Sequence, residues 1–246
     1  DVLGNPLESI ASGPAAADPT TFADAAAILD RYNLWDATPH SIQSALHDGL
    51  AGKLPETVKP GDPCLQHVQS VIVGDNTLAA HAALQQAQME GFHTLLLNDP
   101  LQGEASQVGA ALGDMLRSAL LRDCPLPRPV CIVAGGETTV TLHGSGKGGR
   151  NQEMALAFLN ELKNDPASAS QIFFLSASTD GSDGPTDAAG AFASWELYQA
   201  AVGRGLQPDA FLQNNDSYHF YETLGALLKT GPTGTNVCDL QIALIL

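Results

Sequence analysis

Basic residues are scarce in this chain. Eleven Lys and Arg stand against 27 Asp and Glu, a net charge of −16 over 246 residues, and such a surface repels both a phosphodiester backbone and an anionic lipid leaflet. No nucleic-acid or membrane partner is expected. Cysteine is equally thin: Cys64, Cys124, Cys131 and Cys238 form no C-x-x-C pair and follow no regular spacing, in a chain too large to need disulfide staples. They read as reduced, buried thiols of a cytoplasmic protein. No apolar run reaches the ~18 residues of a membrane span. Residues 1–6, Asp-Val-Leu-Gly-Asn-Pro, are neither a secretory leader nor a natural initiator, so the chain reads as starting in mid-protein. The seven histidines lack metal-ligand spacing, there is no Ser-centred nucleophile elbow, and Lys147 is followed by Gly148, which rules out a P-loop.

What is present is apolar substance and glycine. Hydrophobic residues make up 44% of the chain, enough for one large domain or a domain plus a fragment. Residues 1–67 are rich in Pro, Ala and Asp, with helices expected near 22–32 and 41–50, the first capped from Asp18-Pro19-Thr20-Thr21 with Asp24 in its first turn. That segment reads either as a partly helical connector or remnant of another domain, or as one wall of a cleft lined by Ser12-Gly13-Pro14 and Asp18. From 68 to 246 the pattern is that of an α/β domain. Apolar runs at 71–74 and 94–97 flank a helical stretch at 77–90, the mark of a β-α-β unit. A second helix over 104–121 carries Val108, Leu112, Met115, Leu116 and Ala119 on one face and is closed by Pro125, Pro127 and Pro129.

Residues 130–134 and 138–143 read as two strands of a hairpin around Gly135-Gly136. A helix over 150–163 with Ala155, Phe158, Leu159 and Leu162 on one face follows, then a buried strand at 172–176. Helices are expected at 195–203 and 217–227, the second capped by Asn214-Asn215-Asp216-Ser217, then a small-residue loop at 230–236 and a last strand at 240–246. The expected architecture is a three-layer α/β domain with a mixed, largely parallel sheet and one antiparallel edge.

Function is concentrated between Val130 and Ala191. A glycine-rich loop, Gly144-Ser145-Gly146-Lys147-Gly148-Gly149, opens a helix, and unpaired amides at a helix N-terminus form an anion site. The acidic loop after the next strand, Thr179-Asp180-Gly181-Ser182-Asp183-Gly184-Pro185-Thr186-Asp187, could hold Mg²⁺ or accept a proton; the bland reading is an ordinary Asx-turn. Three carboxylates so close repel each other unless a cation or proton sits among them. Gly144, Gly146 and Gly149 satisfy G-x-G-x-x-G, but the carboxylate a dinucleotide site wants roughly 20 residues on is absent. Arg150 at a helix start opposes the dipole, so an anion should lie near it. That anion is either a ligand, gripped by the guanidinium fork, or a neighbour such as Glu137 or Glu153; solvent is the third option.

These motifs resemble a known family. Gly135-Gly136-Glu137-Thr138-Thr139-Val140, Gly148-Gly149-Arg150-Asn151-Gln152-Glu153, the run from Thr179 to Ala191, and Thr230-Gly231-Pro232-Thr233-Gly234-Thr235-Asn236-Val237 look like signatures of the class II glycerate 2-kinases, whose C-terminal part, here about 130–246, is called MOFRL. Ile10-Ala11-Ser12-Gly13-Pro14 and Asp18-Pro19-Thr20-Thr21 resemble the same family's mid-chain segment. Ser178 departs from the Gly often found there. The resemblance implies phosphorylation of D-glycerate to 2-phosphoglycerate by ATP with Mg²⁺, in a cleft between two α/β domains. It also implies a further, Rossmann-like N-terminal domain with a catalytic lysine, which this sequence lacks and which would be its partner; a homodimer is a second assembly the family leaves open. Carried over, Arg150, Asp180 and Asp183 would be catalytic, the two acids also holding the metal. Gly135, Gly136, Glu137, Thr138, Gly146, Lys147, Gly148, Gly149, Asn151, Gln152, Asp187, Thr233, Thr235 and Asn236 would bind substrate and phosphate. The alternatives are an NAD(P)H-dependent hydroxypyruvate reductase and a non-catalytic metabolite-binding or partner module.

Overall fold

In a computed structural model, which describes residues 1–121 and 127–246, the chain divides into two compact units, Val2–Val73 and Gly74–Leu246, the latter with Asp1. Cys124 and Pro125 lie outside the described residues. In the first unit the capping signal is met: Thr21 and Asp24 form a reciprocal capping box at the start of α1 (Phe22–Arg31), and α2 (His40–Leu50) packs so closely that a Cβ on Gly49 would stand 2.3 Å from the Phe22 ring. Ser12, Gly13, Pro14 and Asp18 do line one cavity, of about 550 Å³. Asp18 accepts hydrogen bonds from the Thr20 amide and hydroxyl and from the Thr57 hydroxyl, which together hold its carboxyl at about 2. Cys64, in the same unit, is exposed rather than buried.

The second unit is built on a six-stranded sheet in the order β1-β2-β6-β3-β4-β5. The strands are β1 (His93–Leu96), β2 (Val130–Gly136), β3 (Ile172–Ser178), β4 (Gly190–Ser194), β5 (Leu227–Leu228) and β6 (Asp239–Ile245). The sheet is mixed, but only β1 and β2 run parallel; the other four pairings are antiparallel. The "largely parallel" expectation is corrected here, because β6 returns from the C-terminus to separate β2 from β3. Alternation along the strands makes three layers. Val130, Ile132, Phe174, Ala243 and Ile245 face α4 (Ala105–Leu121) and α5 (Arg150–Glu161), while Cys131, Val133, Ile242 and Leu244 face α3 (Asn76–Met89).

Two expectations around α3 and β2 fail for physical reasons. Residues 71–73 form no strand; Val73 is 91% exposed, and an apolar run becomes a strand only where a ladder partner meets it. Gly135-Gly136 is not a hairpin turn. Both glycines continue β2, pairing with Leu240 and Asp239 of β6, and residues 138–143 lie outside any strand. Their small size serves close approach: a Cβ on Gly135 would stand 1.7 Å from the Asn76 side-chain oxygen, and one on Gly136 would stand 2.2 Å from the Leu101 carbonyl. The Asn76 amide meanwhile donates to the carbonyls of Val237 and Asp239, at 2.8 Å each.

Helix α5 is the centre of the unit. Every residue from Asn151 to Asn160 is buried, not just the apolar face. The remaining helices are α6 (Pro166–Ala169), α7 (Trp195–Gly203), α8 (Pro208–Gln213) and α9 (Ser217–Leu224). Phe158 stacks on Phe174 with ring centroids 4.1 Å apart. No helix among the described residues is long and apolar enough to cross a membrane.

The α4–α5 contact yields a test with a definite sign. A Cβ on Gly109 would stand 2.2 Å from the Met154 carbonyl oxygen. Gly109→Ala gains ~1 kcal/mol of helix propensity, yet overpacking of this kind costs about 1–3 kcal/mol. Urea unfolding should show a lower midpoint for the variant; a higher one would mean the two helices are free to part.

Candidate functional site

The first anion at the mouth of α5 is the protein's own. Asp183, 1% exposed, accepts from the Asn151 amide at 3.0 Å and side chain at 3.3 Å on one oxygen, and from the Gln152 amide at 2.9 Å and side chain at 3.0 Å on the other. Four N–H groups fill the four acceptor positions of a carboxylate. Burial pushes the Asp183 carboxyl up, and the amides of Asn151 and Gln152 pull it back. Gln152 also donates to the Thr186 hydroxyl at 3.0 Å, so the acidic loop and the helix are one assembly.

The glycine-rich loop is spliced onto the turn before α9. Asn215 accepts from the amides of His143 and Gly144, Asn214 from Ser145 and Gly146, and Asp216 from Lys147. None of Gly144, Gly146, Gly148 and Gly149 takes a left-handed conformation. Glycine is needed for closeness: an added Cβ would stand 2.4 Å from Asn214 at Gly144, 2.2 Å from the Ser217 hydroxyl at Gly148 and 2.4 Å from Asp183 at Gly149. The splice consumes the amides before Gly148. Those of Gly148, Gly149 and Arg150 donate to nothing among the described residues.

Arg150 finds its anion in Asp239, which sequence reasoning missed. Its Nε and Nη2 donate to the two Asp239 oxygens at 2.6 and 2.8 Å, and Glu137 lies 3.3 Å away. Asp239 is fully buried and sits opposite Gly136 in the ladder; its hydrogen bonds raise the Arg150 pKa further. The only hint available was that a guanidinium against a helix dipole needs a counter-ion. Glu153 takes no part in that pairing: its Oε2 accepts instead from the Asn215 side chain at 3.1 Å.

The other acids disperse. Asp180 accepts from the Ser178 hydroxyl at 2.7 Å and the Ser182 amide at 2.8 Å, an Asx-turn. Asp187 accepts from the Tyr218 hydroxyl and from Lys229, at 2.8 and 2.9 Å, while Lys147 lies 4.1 Å over the Tyr218 ring. Thr233 donates to the Thr179 carbonyl at 2.7 Å and accepts from the Thr235 amide, and Asn236 accepts from the Cys238 amide at 3.0 Å. Thus the 230–236 loop braces the acidic loop. Among the described residues no group of three or more His, Cys, Asp and Glu side chains could hold a metal. Asp183 is saturated by its four N–H partners, while Asp180 is held in its turn through one oxygen.

One cavity of about 460 Å³ opens beside these elements. Of the expected site residues, Thr138, Gly146, Gly148, Gly149 and Arg150 line it, and Glu153 and Asn215 join them. Gly135, Gly136, Glu137, Lys147, Asn151, Gln152, the three acids of the 180–187 loop, Thr233, Thr235 and Asn236 do not. Thr138 Oγ1 is buried there without a partner among the described residues.

A family model described as the MOFRL family matches residues 130–239, and one described as a domain of unknown function, DUF4147, matches residues 1–47. Glycerate 2-kinase of Pyrococcus horikoshii is 39% identical over 100% of this chain and 54% of its own length. Glycerate kinase of Macaca fascicularis is 37% identical over 98% of this chain and 69% of its own. The chain belongs to the glycerate kinase family. A crystal structure of glycerate kinase from Thermotoga maritima superposes with a TM-score of 0.84 at 38% identity, covering 100% of this chain and 55% of that one. The chain spans about half the length of most of the relatives it matches.

Burial pushes Glu153 above its ordinary value of 4.5. A carboxyl whose folded pKa is raised contributes stability below its unfolded value and loses it as pH climbs through the folded value; Asp183 acts in the same sense. The contribution of Glu153 should therefore decline as pH rises from 4.5, and urea titrations at a series of pH values should show Glu153→Gln gaining on the wild type as pH rises. Parallel curves for the two proteins would show that Glu153 is no more buried from water when folded than when unfolded.

Proposed function

We propose that this chain is the C-terminal portion of an ATP-dependent glycerate 2-kinase, moving the γ-phosphate of ATP to the 2-hydroxyl of D-glycerate. The observation that carries the reading is the cavity wall at the start of α5. Three unspent amides, of Gly148, Gly149 and Arg150, stand with a guanidinium fixed by Asp239, and such a wall suits the carboxylate or phosphate oxygens of a small anion. Relatives named glycerate kinase support the choice of anion.

In this reading Arg150 keeps one face for Asp239 and offers its outer nitrogen to the ligand, so the guanidinium arrives already oriented. Preorganised charge of that kind lowers the barrier without reorganising at the moment of transfer. The loop amides hold the acid end of glycerate, and Thr138 offers its buried hydroxyl to the sugar-acid hydroxyls. Nucleotide contacts are completed by the further domain found in the longer relatives.

The full-length protein should convert D-glycerate and ATP to 2-phosphoglycerate, distinguished from the 3-isomer by ³¹P NMR. Arg150→Lys, which cannot keep a two-point bond to Asp239, should lower kcat/KM at least about tenfold, ~1.4 kcal/mol in barrier. Oxidation of NADH with hydroxypyruvate and no phosphoryl transfer would replace the kinase reading with the reductase.

A further inference from the structure

We infer that Glu153 receives the proton of the attacking glycerate hydroxyl, with Asn215 positioning it and Thr138 as a second hydroxyl contact. This role rests on the kinase reading and assigns a residue that reading leaves open. Elimination and geometry both lead to it. Glu153 is the carboxylate that lines the cavity; Asp183 is saturated by four N–H groups, and Asp180 and Asp187 lie off the wall.

Glu153 is 4% exposed. One of its oxygens, Oε2, is held by the Asn215 side chain at 3.1 Å, and Oε1 has no hydrogen-bond partner among the described residues. Thr138 Oγ1 is likewise buried and without a partner. A buried hydroxyl and a carboxylate oxygen left open beside one cavity call for hydroxyl partners. Arg150 and Glu153 are three residues apart on α5 and so share a face, which gives the cavity a donor wall of amides and guanidinium and an acceptor wall of Glu153 and Thr138. A short hydroxy acid has the matching polarity, with a carboxylate at one end and hydroxyls at the other.

Asn215 is itself fixed. It adopts a left-handed conformation at φ 51° and receives the amides of His143 and Gly144, so it holds the carboxylate at a set distance from the glycine loop. In the transfer, the hydroxyl oxygen forms a bond to the γ-phosphorus and the bond from that phosphorus to the bridging oxygen breaks. The electron pair leaves with ADP, and the hydroxyl proton passes to Oε1. Burial raises the Glu153 carboxyl toward the range where a general base works best. Glu104, Asp183 and His143 act on it from neighbouring elements.

The test is Glu153→Gln in the full-length protein. Gln can still accept the Asn215 bond, so the variant should fold, with an unfolding midpoint at neutral pH no lower than that of the wild type. Expected is a fall in kcat of about 10²–10⁴-fold with KM for glycerate within about threefold, and loss of the acidic limb of the kcat–pH profile; Glu153→Asp should restore part of both. An active wild type whose Glu153→Gln variant keeps kcat within about threefold overturns the role and leaves the kinase reading standing. A wild type that does not phosphorylate glycerate overturns both. Should the variant fail to fold, the wild-type profile decides: no acidic limb above the ordinary glutamate range means no such base.

Discussion

A single buried carboxylate organises the second unit. Asp183 gathers the amides of Asn151 and Gln152, the second and third residues of α5, and their side chains, which ties the loop after β3 to the helix at the middle of the fold. Capping charge at a helix N-terminus is favourable by dipole and by hydrogen bond together, and here water is excluded, so both act at full strength. Because that end of α5 is spoken for by Asp183, the amides one step earlier are the ones left to face the cavity. The position of Arg150 and Glu153 relative to those amides follows from where the cap holds the helix.

A chain with a net charge of −16 still buries acids, and each is matched. Asp239 is met by a guanidinium fork, Asp183 by four N–H groups, and Glu153 by one amide on one oxygen. The last is the incomplete one, which is why it stands out among them. Buried polar groups left partly satisfied concentrate where ligands bind. The glycines belong to the same logic. They let the 144–149 loop lie against Asn214–Ser217 and against Asp183 at distances no side chain would allow, and so they shape the wall of the cavity without cradling the ligand by left-handed turns.

Much of this was legible in the sequence, and the rest was not for identifiable reasons. The long helices announced themselves by period and cap, as with Thr21 and Asp24, and the motif around Arg150 falls on the wall of the candidate cavity. β4, Gly-Ala-Phe-Ala-Ser, has too little β-branched character to read as a strand. The strand expected at 71–73 has that character and no partner. The Gly135-Gly136 hairpin failed because glycine signals close approach as well as reversal, and only the Asn76 side chain tells them apart. The acidic loop read as a metal site because Asp spacing cannot reveal that Asp183 turns inward while Asp180 and Asp187 turn to different neighbours. Asp239 was invisible: it is 89 residues from Arg150, a separation that only the sheet closes.

The most direct measurement pairs stability with activity in Asp183→Asn. The substitution keeps the size, removes the charge and turns an N–H₂ toward amides that need an acceptor; bonds to a charged group are worth about 1.5–3 kcal/mol each, with a further penalty for groups left unmatched. The account expects a loss of about 3 kcal/mol or more in urea unfolding, with activity falling in step with the folded fraction. A variant of native stability that has lost phosphoryl transfer would contradict it, and would put Asp183 in the chemistry rather than in the scaffold.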